Sequence, residues 1–474
     1  MQPLFFKPEG AWSGDYIPFY KDGTFYLYYL LDWRDAEGHG SGTPWYLVTT
    51  TDFVHFEDRG EMLARGAEDE QERWVFTGSV IEGERRYHIF YTGHNPAVQS
   101  RGLPHQAIMH AVSDDLLSWQ KVPADTFYAP PELYEPNDWR DPFVFWNDSA
   151  REYWMLICAR QSSGIPRRRG CTALATSTDL VHWQVAPEPF YAPGLYHTHE
   201  CPDLFRIGDW WYLVFSEYSQ KLLTRYRMAR SLAGPWITPD DDAFDGRAFY
   251  AAKTAASPAE RYLFGWNPTR TPETDQSPWN WGGNLAVHAL SQRDDGTLAA
   301  SCPQQIVAQF IQEHPLQVVP VAGQVQQNAR ELVVKASPQE WACAMLGNMP
   351  ESCLFSAQFS FSEGTHNLGV MLRASADAET GYYVRIEPGQ QRLVWDTWPR
   401  PGDAPHQTGL ERPLQVGAGL PITLQVVCEG TIAEVYVNNE IALSARMYDH
   451  REGALGVFVE GGTLSAADLS LHTR

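Results

Sequence analysis

Ser177-Thr178-Asp179-Leu180-Val181-His182-Trp183 decides the fold, because the chain writes it more than once. Thr50-Thr51-Asp52-Phe53-Val54-His55-Phe56 and Ser113-Asp114-Asp115-Leu116-Leu117-Ser118-Trp119 share its form at intervals of 63 and 64 residues, and Ser231-Leu232-Ala233-Gly234-Pro235-Trp236 is a weaker copy. Each of the first three follows an apolar strand-like run: Tyr46 to Thr49, Ile108 to Val112 and Thr172 to Thr176. A Ser/Thr-Asp pair turns the chain tightly through side-chain-to-backbone hydrogen bonds, and the trailing aromatic caps the sheet. Self-similarity on this scale among short strands means radial repetition of four-stranded sheets. Long helical periodicity is missing, and 37 Gly and 33 Pro punctuate the strands instead. Strand groups counted to about residue 295 give five blades, so an all-β, five-bladed β-propeller is expected.

From roughly residue 310 the pattern changes to strict alternation, as in Leu354 to Phe361, Gly381 to Ile386 and Ala433 to Val437, with turns at Asn438-Asn439 and Glu460-Gly461-Gly462. This reads as a C-terminal antiparallel β-sandwich. The expected division is a propeller over 1–303, a connection over 304–328 and a sandwich over 329–474.

A length of 474 residues favours two domains, and 43% hydrophobic residues supply ample core. The formal charge of −22 argues against nucleic acid and anionic membrane as partners. Seven Cys without a CxxC pair read as buried thiols in a reducing compartment. The opening residues lack a basic and apolar leader pattern, and no apolar run is long enough to span a bilayer, so a cytoplasmic protein is expected.

Three carboxylates stand at the entrances of similar strand groups: Asp15 in Ser13-Gly14-Asp15-Tyr16, Asp141 in Trp139-Arg140-Asp141-Pro142, and Glu200 in Thr198-His199-Glu200-Cys201-Pro202-Asp203. In a propeller such positions converge on the axis. Glycoside cleavage needs a cluster of this kind, with one carboxylate to attack or activate water and one to donate a proton. Each has a structural alternative: Asp15 as a turn residue, Glu200 as a surface acid at a strand start, and Asp141 as the partner of Arg140 in a salt bridge that fixes a turn. Asp203 reads as structural, and Cys201 as a packed thiol. His197 and His199, two apart, could hold a metal, but no further Cys/His set accompanies them, and a pocket-wall role fits better. Neither metal nor cofactor is expected.

These residues resemble glycoside hydrolase family 32, the invertases, inulinases, levanases and other β-fructofuranosidases. Trp12-Ser13-Gly14-Asp15 is similar to the family's first-blade nucleophile motif, Phe76-Thr77-Gly78-Ser79 to its Phe-Ser-Gly-Ser segment, and Trp139-Arg140-Asp141-Pro142 to its Arg-Asp-Pro motif. Glu200-Cys201 matches its Glu-Cys motif, Phe249-Tyr250-Ala251-Ala252 resembles Phe-Tyr-Ala-Pro, and Ile432 to Arg446 resembles its C-terminal sandwich. The resemblance implies a retaining mechanism with Asp15 as nucleophile, Glu200 as acid/base, Asp141 holding fructose hydroxyls in the transition state and Arg140 orienting the acids. Trp45, Phe76, Trp266 and Trp281 are candidate platforms for the furanose ring, with Ser79, His199 and Tyr250 as further substrate contacts.

The chain departs from the pattern at Gly14 before the nucleophile, Tyr16-Ile17 after it, Leu30 where Gln is usual, and His199 where Trp is usual. The loop from Asp32-Trp33-Arg34-Asp35 to Gly38-His39-Gly40 has no recognised counterpart. The expected partner is a small oligosaccharide or fructoside; a homo-oligomer built through the sandwich is left open. The rivals are an inverting arabinosidase or xylosidase of the propeller type and a non-catalytic sugar-binding propeller. A carboxylate separation of about 5–5.5 Å marks retention and about 6.5–9.5 Å inversion.

Overall fold

The computed structural model describes residues 2–328, 331–400 and 409–474. Five sheets surround one axis, as the repeats require. Blade I comprises Trp12–Lys21, Thr24–Asp32, Trp45–Thr50 and Phe56–Leu63, and blade II Trp74–Gly83, Arg86–His94, Gln106–Ser113 and Gln120–Lys121. Blade III comprises Tyr134–Asn147, Glu152–Gln161, Gly170–Ser177 and Gln184–Val185. Blade IV has Glu200–Ile207, Trp210–Glu217 and Leu223–Ala229, with isolated Met228–Ile237 and Arg225–Ala243 bridges in place of a fourth strand. Blade V comprises Tyr250–Ala256, Arg261–Arg270, Trp279–Gln292 and Leu298–Ser301. The ring closes where Ser13 of blade I pairs with Gly283 of blade V.

The repeated heptapeptides are the turns after the third strands. Thr50, Ser113 and Ser177 each accept an N–H through the hydroxyl oxygen, from Phe53, Leu116 and Leu180 at 2.9, 3.0 and 3.0 Å. Asp52, Asp115 and Asp179 each accept two more N–H groups from the residues that follow. Phe53, Leu116 and Leu180 occupy left-handed φ of 62–66° and point into the core. Three copies of one unusual backbone therefore carry one sequence signature.

A second repeat, invisible as a motif, positions the site. In blades I, III, IV and V the inner strand has two residues facing one on its neighbour. These are Asp15-Tyr16 against Tyr29, Asp141-Pro142 against Ile157, Cys201-Pro202 against Phe215, and Ala251-Ala252 against Gly265. Blade II has one extra residue, Thr77, followed by Gly78, where a Cβ would lie 1.9 Å from the Phe90 carbonyl oxygen. Asp15, Asp141, Cys201 and Ala251 all take φ of 48–56°. A bulge re-aims side chains, and left-handed φ at a non-glycine residue costs on the order of 1 kcal/mol, which a well-packed surround must offset.

The sandwich is built on two long bent strands, Glu331–Asn348 and Ala454–Thr473, paired with each other along most of their length. Their ends pass between two layers. The Gly456–Glu460 half continues into Asn367–Ala374, Gly381–Glu387 and Arg392–Trp398; the Leu464–His472 half continues into Ser352–Phe361, Ile422–Glu429, Ile432–Val437 and Ile441–Arg446. The expected connection 304–328 contains more structure than a linker: a helical turn Gln304–Val307, then Gln312–Glu313, Val319–Ala322 and Gln324–Gln327, each paired to a sandwich strand. Residue 329, the expected start of the sandwich, lies outside the described residues.

The sandwich is fastened to blade V. Arg446 donates to the carbonyls of Asn267 and Pro268 at 2.9 and 3.0 Å. Buried Asp245 accepts from Ser444 and pairs with His288, whose other ring nitrogen meets the Tyr436 hydroxyl at 3.0 Å. Blade V, one wall of the central pocket, is thus braced from behind. No helix among the described residues is long and apolar enough to cross a membrane. All seven cysteines are buried and unpaired.

Candidate active site

The five inner-strand steps meet at a cavity of about 390 Å³ at the mouth of the propeller, lined by Asp15, Asp141, Glu200, Arg140, Tyr250 and Phe76 among others. Blade by blade, the residues at the bulge and just before it are Gly14-Asp15, Phe76-Thr77, Arg140-Asp141, Glu200-Cys201 and Tyr250-Ala251. The ring converts one backbone irregularity into a set of converging side chains.

Asp15 is fixed from both sides. Thr77 donates its hydroxyl to Oδ2 at 2.7 Å and Trp266 donates Nε1 to Oδ1 at 2.9 Å. Burial pushes its carboxyl up to about 7, with Asp141 and Glu200 adding to the rise, while the bonds from Thr77 and Trp266 hold it down. Glu200 receives the Tyr250 hydroxyl at 2.7 Å on Oε2 and the Arg140 guanidinium at 3.1 Å on Oε1. Its carboxyl is raised by burial and by Asp141, against the pull of Arg140 and Tyr250. Burial and Glu200 push the Tyr250 phenol up as well, so it stays a donor. Asp141 accepts the Cys201 N–H at 3.0 Å through Oδ2, and among the described residues its Oδ1 has no donor. The Cys201-Pro202 bulge is held by buried Lys253, which donates to the Pro202 carbonyl at 2.8 Å.

Several expectations are corrected by this geometry. Arg140 reaches Asp138 (2.9 Å), Glu200 (3.1 Å) and, at 3.9 Å, Asp141, but not Asp15, because its guanidinium extends across to blade IV. Trp45 is fully buried in the core between blades I and II, its Nε1 bonded to the Phe76 carbonyl, so it offers no ring to a sugar. Ser79 lies further along the same strand and accepts the Val144 N–H at 3.0 Å, bracing blade II to blade III. His199 is wholly buried behind Glu200, stacked on Phe215 at 4.4 Å, and burial pushes its pKa down to about 3, so it is a neutral residue packed inside the blade and off the cavity wall. Trp266 is only 4% exposed and acts on Asp15 through its N–H rather than presenting a stacking face. Phe76 and Tyr250 do line the cavity. Asp203 is structural, its carboxylate accepting the Thr254 N–H.

Sequence reading missed Thr77, Trp74, Thr43 and Asp32. For Thr77 only the strand register carries the signal: it stands at the blade II position equivalent to Asp15 and Asp141. Removing its hydroxyl tests the electrostatics. Thr77→Val deletes a donor that favours the ionised carboxyl, so the Asp15 pKa rises. The acidic limb of kcat/KM against pH is expected to move to higher pH; an unmoved limb would separate Asp15 from that titration.

Gly14, one of the departures, has a physical reason. A Cβ there would lie 2.6 Å from Cζ2 of Trp281, an aromatic of the cavity wall. Gly14→Asn is expected to displace Trp281. KM for a small substrate should rise about tenfold, with a fall in Tm of a few degrees; wild-type values for both would show that the ring has room to move.

Comparison with known proteins agrees with the fold. The chain is 24% identical to the raffinose invertase of Escherichia coli over 471 residues, which is 94% of this chain and 89% of that protein. It is 23% identical to the sucrose-6-phosphate hydrolase of Vibrio alginolyticus over 299 residues, 59% of this chain and 58% of that one. Among solved structures, the sucrose-6-phosphate hydrolase from Lactobacillus gasseri superposes with a TM-score of 0.74 at 16% identity, covering 99% of this chain and 92% of that one. The exo-inulinase from Aspergillus awamori gives 0.71 at 18% identity, covering 100% and 98%. The model of the glycosyl hydrolases family 32 N-terminal domain matches residues 5–299 and that of the family's C-terminal region residues 324–473. Both halves being matched in order, the chain belongs to glycosyl hydrolase family 32.

Proposed function

We propose that the protein is a retaining, exo-acting β-fructofuranosidase that releases fructose from small fructosides by double displacement. Asp15 attacks the anomeric carbon of fructose as Glu200 protonates the leaving oxygen, forming a fructosyl ester on Asp15. Water, deprotonated by Glu200, then cleaves that ester and restores both groups. Asp141 accepts hydroxyls of the ring through its free oxygen, with charge building on the sugar as the bond breaks.

One observation carries the reading: Asp15 and Glu200 line the same cavity from blades I and IV, each held by two donors. Two carboxyls so fixed cost little reorganisation when a sugar arrives between them. The raffinose invertase and exo-inulinase relatives act on fructosides, which supports the substrate class. The seven unpaired thiols favour a reducing compartment, and on that ground we place the enzyme in the cytoplasm.

The test is to incubate the protein with sucrose, raffinose and 1-kestose and follow the first-formed fructose by NMR. Retention predicts that the β-anomer appears first and then mutarotates. Initial release of the α-anomer would replace the mechanism with inversion, and absence of fructose from all three would remove the substrate class.

A further inference from the structure

We propose that Asp32 is a specificity-determining residue that sets the pocket for fructosides with an uncharged leaving sugar and against sugar phosphates. The inference rests on the fructosidase reading above and narrows its substrate class.

Asp32 ends the second strand of blade I, pairs with Trp12, and lines the same cavity as Asp15, Asp141 and Glu200. Its placement is rigid. Oδ1 accepts the backbone N–H of Arg34 at 2.8 Å, and Arg34 holds a left-handed φ of 54° to make that turn. The Arg34 guanidinium ties the loop to blade V, donating to Thr269 Oγ1 at 2.8 Å and the Trp281 carbonyl at 2.5 Å while lying over the Trp12 ring. No other donor to the Asp32 carboxylate is found among the described residues, so Oδ2 is free to accept from a hydroxyl.

The charge balance follows from the wall. Four carboxylates line the cavity, and Arg140 is the one cation among its lining residues. Arg140 is shared among Asp138, Glu200 and, at 3.9 Å, Asp141. Arginines of the neighbouring loops have donors committed elsewhere: Arg34 as described, Arg65 with the carbonyls of His39 and Gly42 and the Trp33 ring, and Arg73 with Glu68 and the Trp74 ring. A neutral sugar gains acceptors here. A phosphate dianion meets the carboxylates of Asp32 and Asp141 in a partly desolvated space, where like charges repel far more than in water.

The test compares kcat/KM for sucrose and sucrose 6-phosphate in the wild type, Asp32→Asn and Asp32→Glu. The wild type is expected to favour sucrose on the order of 100-fold, Asp32→Asn to narrow that ratio by about tenfold, and Asp32→Glu to retain most of it. Equal rates on the two sugars in the wild type, or an unchanged ratio in Asp32→Asn, would overturn the inference while leaving the fructosidase reading intact. Cleavage of neither sugar would overturn the reading beneath it, and with it this inference.

Discussion

Asp15→Asn abolishes turnover on every fructoside while the fold survives, with kcat expected to fall on the order of 10⁴-fold or more. The substitution changes charge and nucleophilicity but little else. The amide oxygen can keep the Trp266 N–H, and the Thr77 hydroxyl can rotate to accept from the new NH₂ group. A neutral amide cannot form the fructosyl ester, so the first displacement stops. Stability separates this outcome from misfolding. In the folded wild type the Asp15 carboxyl keeps its proton up to about pH 7, against an ordinary value of 3.8, so this group's contribution to stability is lost as pH rises through 7. The Asn variant is spared that loss, and its Tm at pH 8 should equal or exceed that of the wild type. Turnover within tenfold of wild type would remove Asp15 from the first displacement.

What the sequence disclosed and what it hid follow from one distinction. The heptapeptide turns were legible because their geometry is made by the residues that spell it: a hydroxyl and a carboxylate bonding to the next few N–H groups. The bulges on the inner strands were not, because Asp15-Tyr16, Asp141-Pro142, Cys201-Pro202 and Ala251-Ala252 share a backbone but no side chain common to all four. Their effect on the site is nonetheless decisive, since the step before each bulge supplies Arg140, Glu200 and Tyr250 in three blades.

The same distinction explains the misplaced aromatics. Trp45 and Trp266 belong to the residue type that stacks on sugars, but only tertiary packing decides whether a ring faces a cavity or fills a core. Trp45 is sealed between blades, whereas Trp266 turns its N–H to Asp15. Ser79 was two residues from the blade II position that matters, Thr77; regular alternation would put both on one face, and only the bulge at Thr77 separates them. Likewise His199 immediately precedes Glu200, yet it faces the blade interior. The cavity's charge is legible only in space, because Asp32 joins the three acids through a loop that matches no motif.

Glu200→Gln is expected to divide substrates by their leaving group. On sucrose, whose departing oxygen needs a proton, kcat should fall on the order of 10³-fold. On an aryl fructoside with an acidic phenol the first step needs little protonation, so its loss should be at least tenfold smaller, and the second step becomes limiting. Added azide requires no general base and should then restore turnover, giving a β-fructosyl azide from the Asp15 ester. The variant's geometry permits this reading, since a Gln oxygen can still accept from Arg140 and its NH₂ can donate to the Tyr250 oxygen. Tyr250→Phe is the matching control: it removes one of the two donors to Glu200 but leaves its proton, so both leaving groups should slow by a similar factor. Equal losses on both substrates in Glu200→Gln, with no response to azide, would show that the carboxyl positions the sugar without handing it a proton.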